Sequence, residues 1–194
     1  MAHPIELLNT MKTLLDFNAD DVTRLQAMGP LLIPHADEMA QRFYASIEQF
    51  DECRQIISDP PGRRQNLYHT LTEWYAQIFS GNYDQQYAER RWIIGLVHVK
   101  VWIPPQYVVG AMENVYRFSA GKLSEQQQDL SGGLLPYIES LSKMLRIDLA
   151  FIEQSYAESA NKAMALEIGA NEALLRRVVE TGAVFLLNEI RQSQ

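Results

Sequence analysis

Apolar side chains return every three or four positions along most of this chain, the period that places them on one face of an α-helix. Ile5, Leu8, Met11 and Leu15 mark a first helix over residues 5–15, followed by the capping run Asn18-Ala19-Asp20-Asp21 and a second helix over 20–28. Pro30 and Pro34 punctuate Leu31-Leu32-Ile33. Met39, Phe43, Ile47 and Phe50 then carry a helix from His35 to Phe50, with Tyr44 on the edge of its apolar face. Residues 51–58 read as a short helical turn that Asp59-Pro60-Pro61-Gly62 breaks. Leu67, Leu71, Trp74/Tyr75 and Ile78 mark a helix from Arg63 to Ser80, closed by Gly81-Asn82. Residues 83–103 carry the next one. Pro105 suits the first position of another, whose face runs through Val108, Met112, Val115 and Ser119 to Lys122. Beyond Gly132-Gly133, Ile138, Leu141, Leu145, Leu149, Ile152 and Tyr156 predict a long helix over 138–156, and residues 171–191 a last one.

Only 97–103 favours a strand locally, because Val97-His98-Val99-Lys100-Val101 alternates with period two. Seven or eight helices with short breaks, no glycine-rich phosphate loop and no internal repeat make the chain all-α, and in that context the segment reads as helix. It belongs to the run from Arg90 to Pro105, which holds one histidine among apolar residues, flanked by Trp92 and Trp102 and stopped by two prolines. On a helix, Arg91, Ile94, Gly95, His98, Val101 and Trp102 share a face. His98 then has apolar neighbours a turn away on either side, and Gly95 removes a side chain where something bulky could approach. Such a surface suits a flat apolar cofactor held through one imidazole nitrogen. It equally suits a histidine satisfied inside a core, and the local pattern leaves both readings open.

Composition narrows the field. A chain of 194 residues makes one domain, or one with an extension, and buries roughly 70% of its unfolded surface without covalent staples. Its formal net charge is −7, from 24 acidic and 17 basic side chains, with no basic run to engage nucleic acid or an anionic membrane. Cys53 is the single cysteine, which excludes an internal disulfide and every zinc motif built on cysteine pairs. The start, Met1-Ala2-His3-Pro4-Ile5-Glu6, lacks a secretory signal. The run Gly182-Ala183-Val184-Phe185-Leu186-Leu187 is far shorter than the ~20 residues a membrane span needs. A soluble cytoplasmic protein is expected.

Four segments carry a resemblance. Arg91-x-x-x-Gly95-x-x-His98-Val99-Lys100-Val101-x-x-Pro104, followed by Tyr107, resembles the proximal segment of globin-coupled sensors and protoglobins. Phe43-Tyr44 is similar to the distal tyrosine pair of that family, Ile78-Phe79-Ser80-Gly81-x-Tyr83-Asp84 to its helix-ending signature, and Leu141-x-Lys143-x-Leu145-x-Ile147-Asp148 to its last globin helix. Together, in the right order, they cover about residues 14–160. The resemblance implies a globin-like helical sandwich with an extra N-terminal and an extra C-terminal helix. A sensor globin domain is expected over 1–165 and, beyond the resemblance, a helical extension or linker over 166–194. The resemblance implies haem b, with His98 as the iron ligand and Tyr44 as the hydroxyl facing the other coordination site. Phe43, Ile94, Gly95, Val101 and Tyr107 are expected around the cofactor. Leu67 and Leu71, one turn apart, can both lean over it. His69 lies roughly 200° from Leu67 at ~100° per residue and should point away. Tyr68 and Tyr75 read as packing residues, His3 and His35 carry no site signal, and Cys53 reads as a bystander.

The function these features imply is reversible binding of a diatomic gas (O2, CO or NO) by a single-domain sensor globin, or by a sensor module separated from its output. No catalytic residue is expected. The alternatives are a haem enzyme of the nitric oxide dioxygenase or peroxidase kind, and a haem-free globin scaffold in stress signalling. Against the first stands a distal wall of Leu67, Leu71 and one tyrosine with no acid–base pair. Against the second stand both His98 and Tyr44. Signalling is expected through a homodimer built on 105–122 and 134–160, where Leu141, Leu145, Leu149 and Ile152 exceed one core's needs, or through a separate output protein. The last helix is apolar nearly all round. It is expected either folded back on the long helix or serving as a linker or docking helix.

Overall fold

The computed structural model describes residues 3–58, 60–169 and 171–192. Asp59, part of the expected break before Arg63, lies outside the described residues, as do the first two and last two positions. Among the described residues the helical period becomes α1 (Pro4–Leu14), α2 (Ala19–Leu32), α3 (Ala36–Ile47), α4 (Asp51–Ser58), α5 (Arg63–Ile78), α6 (Gln85–Lys100), α7 (Pro105–Glu125), α8 (Leu134–Ile168) and α9 (Glu172–Gln192), with short 3-10 turns at Ile33–His35 and Gln127–Asp129. No strand occurs among them, and no helix is long and apolar enough to cross a membrane.

The expected cap before α2 is built as the sequence suggests. Asn18 Oδ1 accepts from the Asp20 N–H at 2.9 Å, and Asp21 Oδ2 accepts from the Asn18 N–H at 3.0 Å. Asp21 also takes the Ser140 hydroxyl at 2.7 Å and the Lys143 ammonium at 2.9 Å, which pins the start of α2 to α8. Burial pushes its carboxyl up, but these donors outweigh burial and hold it below the usual carboxylate range.

The boundaries differ from the periodic reading at several points. α2 continues through Pro30 to Leu32 instead of ending near 28. A proline so close to a C-terminus forfeits one backbone bond, while Met28 and Leu32 on either side of it are fully buried and keep the last turn seated. α3 stops at Ile47, and residues 51–58 form a separate helix. α8 runs on from 156 to Ile168, because Ala157–Glu167 contains good helix formers and no breaker before Gly169, which takes a left-handed φ of +61°. Helix α8 is therefore continuous across the expected domain boundary at 165.

α8 is the spine of the sandwich, packing against α1, α2, α6 and α7, while α3 packs against α5 and α7, and α4 lies on α5. Leu141, Leu145 and Ile152, expected to face a second copy, are buried within the chain's own core, and Leu149 packs against it. The helix has no apolar surplus at these positions, because α1, α2, α6 and α7 surround it within one chain. α9 departs from the buried reading as well. Leu175 is half-buried, yet Val178, Val184, Leu186 and Leu187 are exposed and Phe185 is 64% exposed.

The α6–α8 contact fixes the histidine helix. In its N-terminal half Arg91 and Asp148, each 2% exposed, pair at 2.8 Å through Nε and Oδ2. Asp148 also accepts from the Tyr87 hydroxyl at 2.7 Å and the Trp74 indole at 2.8 Å, and Arg91 donates to Gln77 Oε1 at 2.8 Å. The Arg91 guanidinium carbon lies 4.1 Å from the Tyr87 ring centroid. One turn on, Gly95 lies flush against α8. A Cβ there would stand 2.3 Å from Ser155 Oγ and 2.9 Å from the Phe151 carbonyl oxygen. Gly95→Ala should force α6 off α8, costing about 1–3 kcal/mol as overpacking does. Denaturant melts measure the loss, and unchanged stability would show that the two helices part without cost.

Candidate functional site

α3, α4, α5, α6, α7 and α8 leave a cavity of about 250 Å³ between them. Phe43, Tyr44 and Ile47 come from α3, Cys53, Ile56 and Ile57 from α4, and Arg63, Leu67, Thr70, Leu71 and Trp74 from α5. α6 and the turn after it contribute Ile94, Val97, His98, Val101 and Ile103. α7 contributes Tyr107, Val108, Ala111 and Met112, and α8 contributes Ile152. The described lining is mostly aliphatic and aromatic, with one imidazole and one guanidinium as its basic groups.

The imidazole is oriented by its own helix. His98 Nδ1 lies 2.8 Å from the Ile94 carbonyl oxygen. A carbonyl can only accept, so Nδ1 carries the proton and the Nε2 lone pair, at the far edge of the ring, is left for the cavity. Burial lowers the His98 pKa below its ordinary value, outweighing the opposite pull of that hydrogen bond, so the ring is held neutral. A neutral imidazole with its second nitrogen fixed by a backbone carbonyl is the form that ligates a metal.

Tyr44 is 5% exposed and held by rings on two sides. Phe43 meets it edge-on at 5.2 Å, and Tyr68 stacks at 6.3 Å, itself anchored by its hydroxyl on the Asp37 carbonyl at 2.6 Å. Burial raises the Tyr44 pKa well above its ordinary value, so its hydroxyl keeps its proton and can donate. Burial also raises the Cys53 thiol, leaving it protonated in the wall.

The helix bearing His98 ends in an unusual cap. The Trp102 N–H bonds to the Val99 carbonyl at 3.0 Å and the Ile103 N–H to the His98 carbonyl at 3.2 Å, the paired bonds of a Schellman turn. The left-handed position, normally glycine, is Trp102 at φ +60°, a conformation that costs an L-residue roughly 1–2 kcal/mol. Trp102 is 79% exposed.

Phe43, Tyr44, Leu67, Leu71, Ile94, His98, Val101 and Tyr107 thus come together around one cavity. Gly95 does not join them, since its open side is filled by α8. Arg91 and Trp102, placed by the helical wheel on the His98 face, also lie elsewhere: Arg91 in the ion pair with Asp148, and Trp102 beyond the end of α6, which stops at Lys100. His69 points outward and pairs with Glu73 at 3.1 Å. Cys53, read as a bystander, lines the cavity, as do Trp74 and Arg63, which were not named as site residues. Trp74 could have been found from its place one turn beyond Leu71 on the same face. Cys53 and Arg63 depend on how α4 folds over α5, for which the sequence carries no local signal.

The Protoglobin family model matches residues 6–162, most of this all-helical sandwich, and the chain belongs to that family. The heme-based aerotactic transducer HemAT of Halobacterium salinarum is 23% identical over 171 residues, 82% of this chain and 34% of that protein. The chain therefore spans about a third of its relative's length. The globin domain of the Geobacter sulfurreducens globin-coupled sensor superposes with a TM-score of 0.69 at 24% identity, covering 76% of this chain and 96% of that domain. That likeness establishes the fold.

Proposed function

We propose that the cavity would hold haem b through His98 as the iron ligand, and that the chain is a sensor module for a diatomic gas. The observation that carries this reading is the His98–Ile94 hydrogen bond, which presents Nε2 as a lone pair inside an apolar cavity. The rest of the donor set fits the group. Aliphatic and aromatic walls suit a flat macrocycle, and Arg63 is a cation in the lining suited to its carboxylates. When bound, the haem iron supplies a coordination position for O2, CO or NO. Tyr44 acts as the hydrogen-bond donor toward the gas, and Leu67 and Leu71 exclude water. The described lining contains no carboxylate to serve as an acid–base partner, which favours binding over peroxidase-like or dioxygenase chemistry. The HemAT relative is by its name a heme-based transducer, which supports a signalling role. α8 lines the cavity at Ile152 and runs on to Ile168, so it is the element suited to carry a signal toward α9 or a separate output protein.

His98→Ala should abolish the absorption bands of haemin-titrated protein, or leave them dependent on added imidazole, and a variant with an unchanged spectrum refutes ligation. Tyr44→Phe should speed O2 release about tenfold to a hundredfold, since a hydrogen bond to a partly charged acceptor contributes ~1.5–3 kcal/mol. CO, less polar when bound, should respond less in the same flash-photolysis and stopped-flow measurements, and equal effects would assign Tyr44 a steric role. We propose, finally, that two copies pair across α7 and α8, using apolar positions left exposed there such as Val109, Leu135 and Leu166. Light scattering should give twice the chain mass, and a value near 22.2 kDa rejects the dimer.

A further inference from the structure

Tyr68 reads from the sequence as packing alone, and its placement gives it a second task. The Tyr44 hydroxyl lies on the axis of its ring, so the position of that oxygen depends on rotation about the Cα–Cβ bond. A helical tyrosine has two wells open to it there, near 180° and −60°. The Tyr44 hydroxyl makes no hydrogen bond to the described residues, so the choice between the wells falls to the side chains packed around the ring. Phe43 meets that ring edge-on from the same helix, at 79°. Tyr68 stands across the α3–α5 seam and lies nearly parallel to it, at 25°, filling the space beside its face.

Tyr68 is itself held at both ends. Its hydroxyl donates to the Asp37 carbonyl in the first turn of α3 at 2.6 Å. One turn earlier on α5, Arg64 grips the Glu48 carboxylate through Nε at 2.6 Å and Nη2 at 3.1 Å. Glu48 lies one turn beyond Tyr44, with its N–H on the Tyr44 carbonyl at 2.9 Å. Two pairs of residues four apart therefore face each other across the seam, Tyr44 on Tyr68 and Glu48 on Arg64. The forked ion pair fixes how the two helices register, and the stack sits one turn inside it.

Resting on the reading of Tyr44 as the donor toward the gas, we propose that Tyr68 is a positioning residue. Anchored on Asp37, it keeps Tyr44 in one side-chain well, aims the Tyr44 hydroxyl into the cavity and so sets the preference for O2 over CO. Losing the stack leaves the donor in place but lets it spend time in the other well, where it does not meet the gas.

The test uses the full chain with Tyr68→Leu, which removes the ring, and Tyr68→Phe, which keeps the ring and drops the Asp37 anchor. In protein without haem, three-bond NMR couplings about the Tyr44 Cα–Cβ bond, assigned through Tyr44→Phe, should report one well in the wild type. In Tyr68→Leu the second well should gain about two- to tenfold relative to the first, the factor an aromatic pair is worth. Tyr68→Phe should move the couplings in the same direction. With haemin bound and reduced, Tyr68→Leu should quicken O2 release about two- to tenfold and CO release much less. In a Tyr44→Phe background the same substitution should leave O2 release unchanged, since no hydroxyl remains to be aimed. Unchanged couplings in both Tyr68 variants overturn the proposal, because Tyr44 then keeps its well without the stack. Equal acceleration of O2 release with and without the Tyr44 hydroxyl overturns it too, because Tyr68 then acts only on the build of the wall. The couplings need no haem, so they decide the role of Tyr68 even in a chain that takes up no haemin. Failure of the wild-type chain to take up haemin counts against His98 ligation alone.

Discussion

The ion pair between Arg91 and Asp148 decides where the histidine helix lies, and most of the architecture around the cavity depends on it. Taking two charges out of water is favourable only when nearly every donor and acceptor is satisfied. Asp148 meets that condition through Arg91, Tyr87 and Trp74, which draws α5, α6 and α8 to one point. Burial pushes its carboxyl up against the pull of these three donors. Trp74 adds a second consequence. Its ring forms part of the cavity wall while its N–H is committed to Asp148, so the shape of the wall and the seat of α6 are settled by the same carboxylate.

From that anchor α6 is held at three levels. The ion pair sits at its N-terminal half, the glycine contact at Gly95 brings the backbones close in the middle, and the Tyr156 hydroxyl reaches the turn beyond its end. Between the last two lies His98, whose orientation is a matter of backbone geometry, since Ile94 on the same helix fixes its tautomer. The imidazole can therefore remain neutral and directed in an apolar surrounding that would otherwise leave a polar ring costly to bury.

Much of this was legible in the sequence because a helix repeats its rule every turn. The spacing of Leu67 and Leu71, and of Ile94, His98 and Val101, names the residues of a shared face, and those faces meet around the cavity. The helical wheel fails where a helix stops. Trp102 falls on the expected face only if α6 continues through 102, and the chain turns at Lys100 under the constraint of Pro104-Pro105. It also cannot say which of two neighbours a face will meet. Gly95 reads as an opening toward a ligand, yet Ser155 and Phe151, some sixty residues later, fill it. The leucines of α8 err in the same direction. Their spacing marks a packed seam, but the partners are α1, α2, α6 and α7 of the same chain. α4 escapes for a different reason: residues 51–58 form a single short amphipathic turn whose docking on α5 is a tertiary choice.

The separation in sequence between α8 and its partners has a consequence for the order in which this protein takes shape. Ser140 closes on Asp21 across 119 residues, and Arg91 finds Asp148 across 57. During synthesis the walls contributed by α3 to α7 emerge first, and they emerge without the helix that seats α6. Until residues 134–168 have left the ribosome, the nascent chain carries an incomplete apolar interior, the kind of intermediate that is prone to association. Closure of the interior thus waits on the emergence of α8, and the His98 pocket acquires its form in the same step that covers the apolar interior.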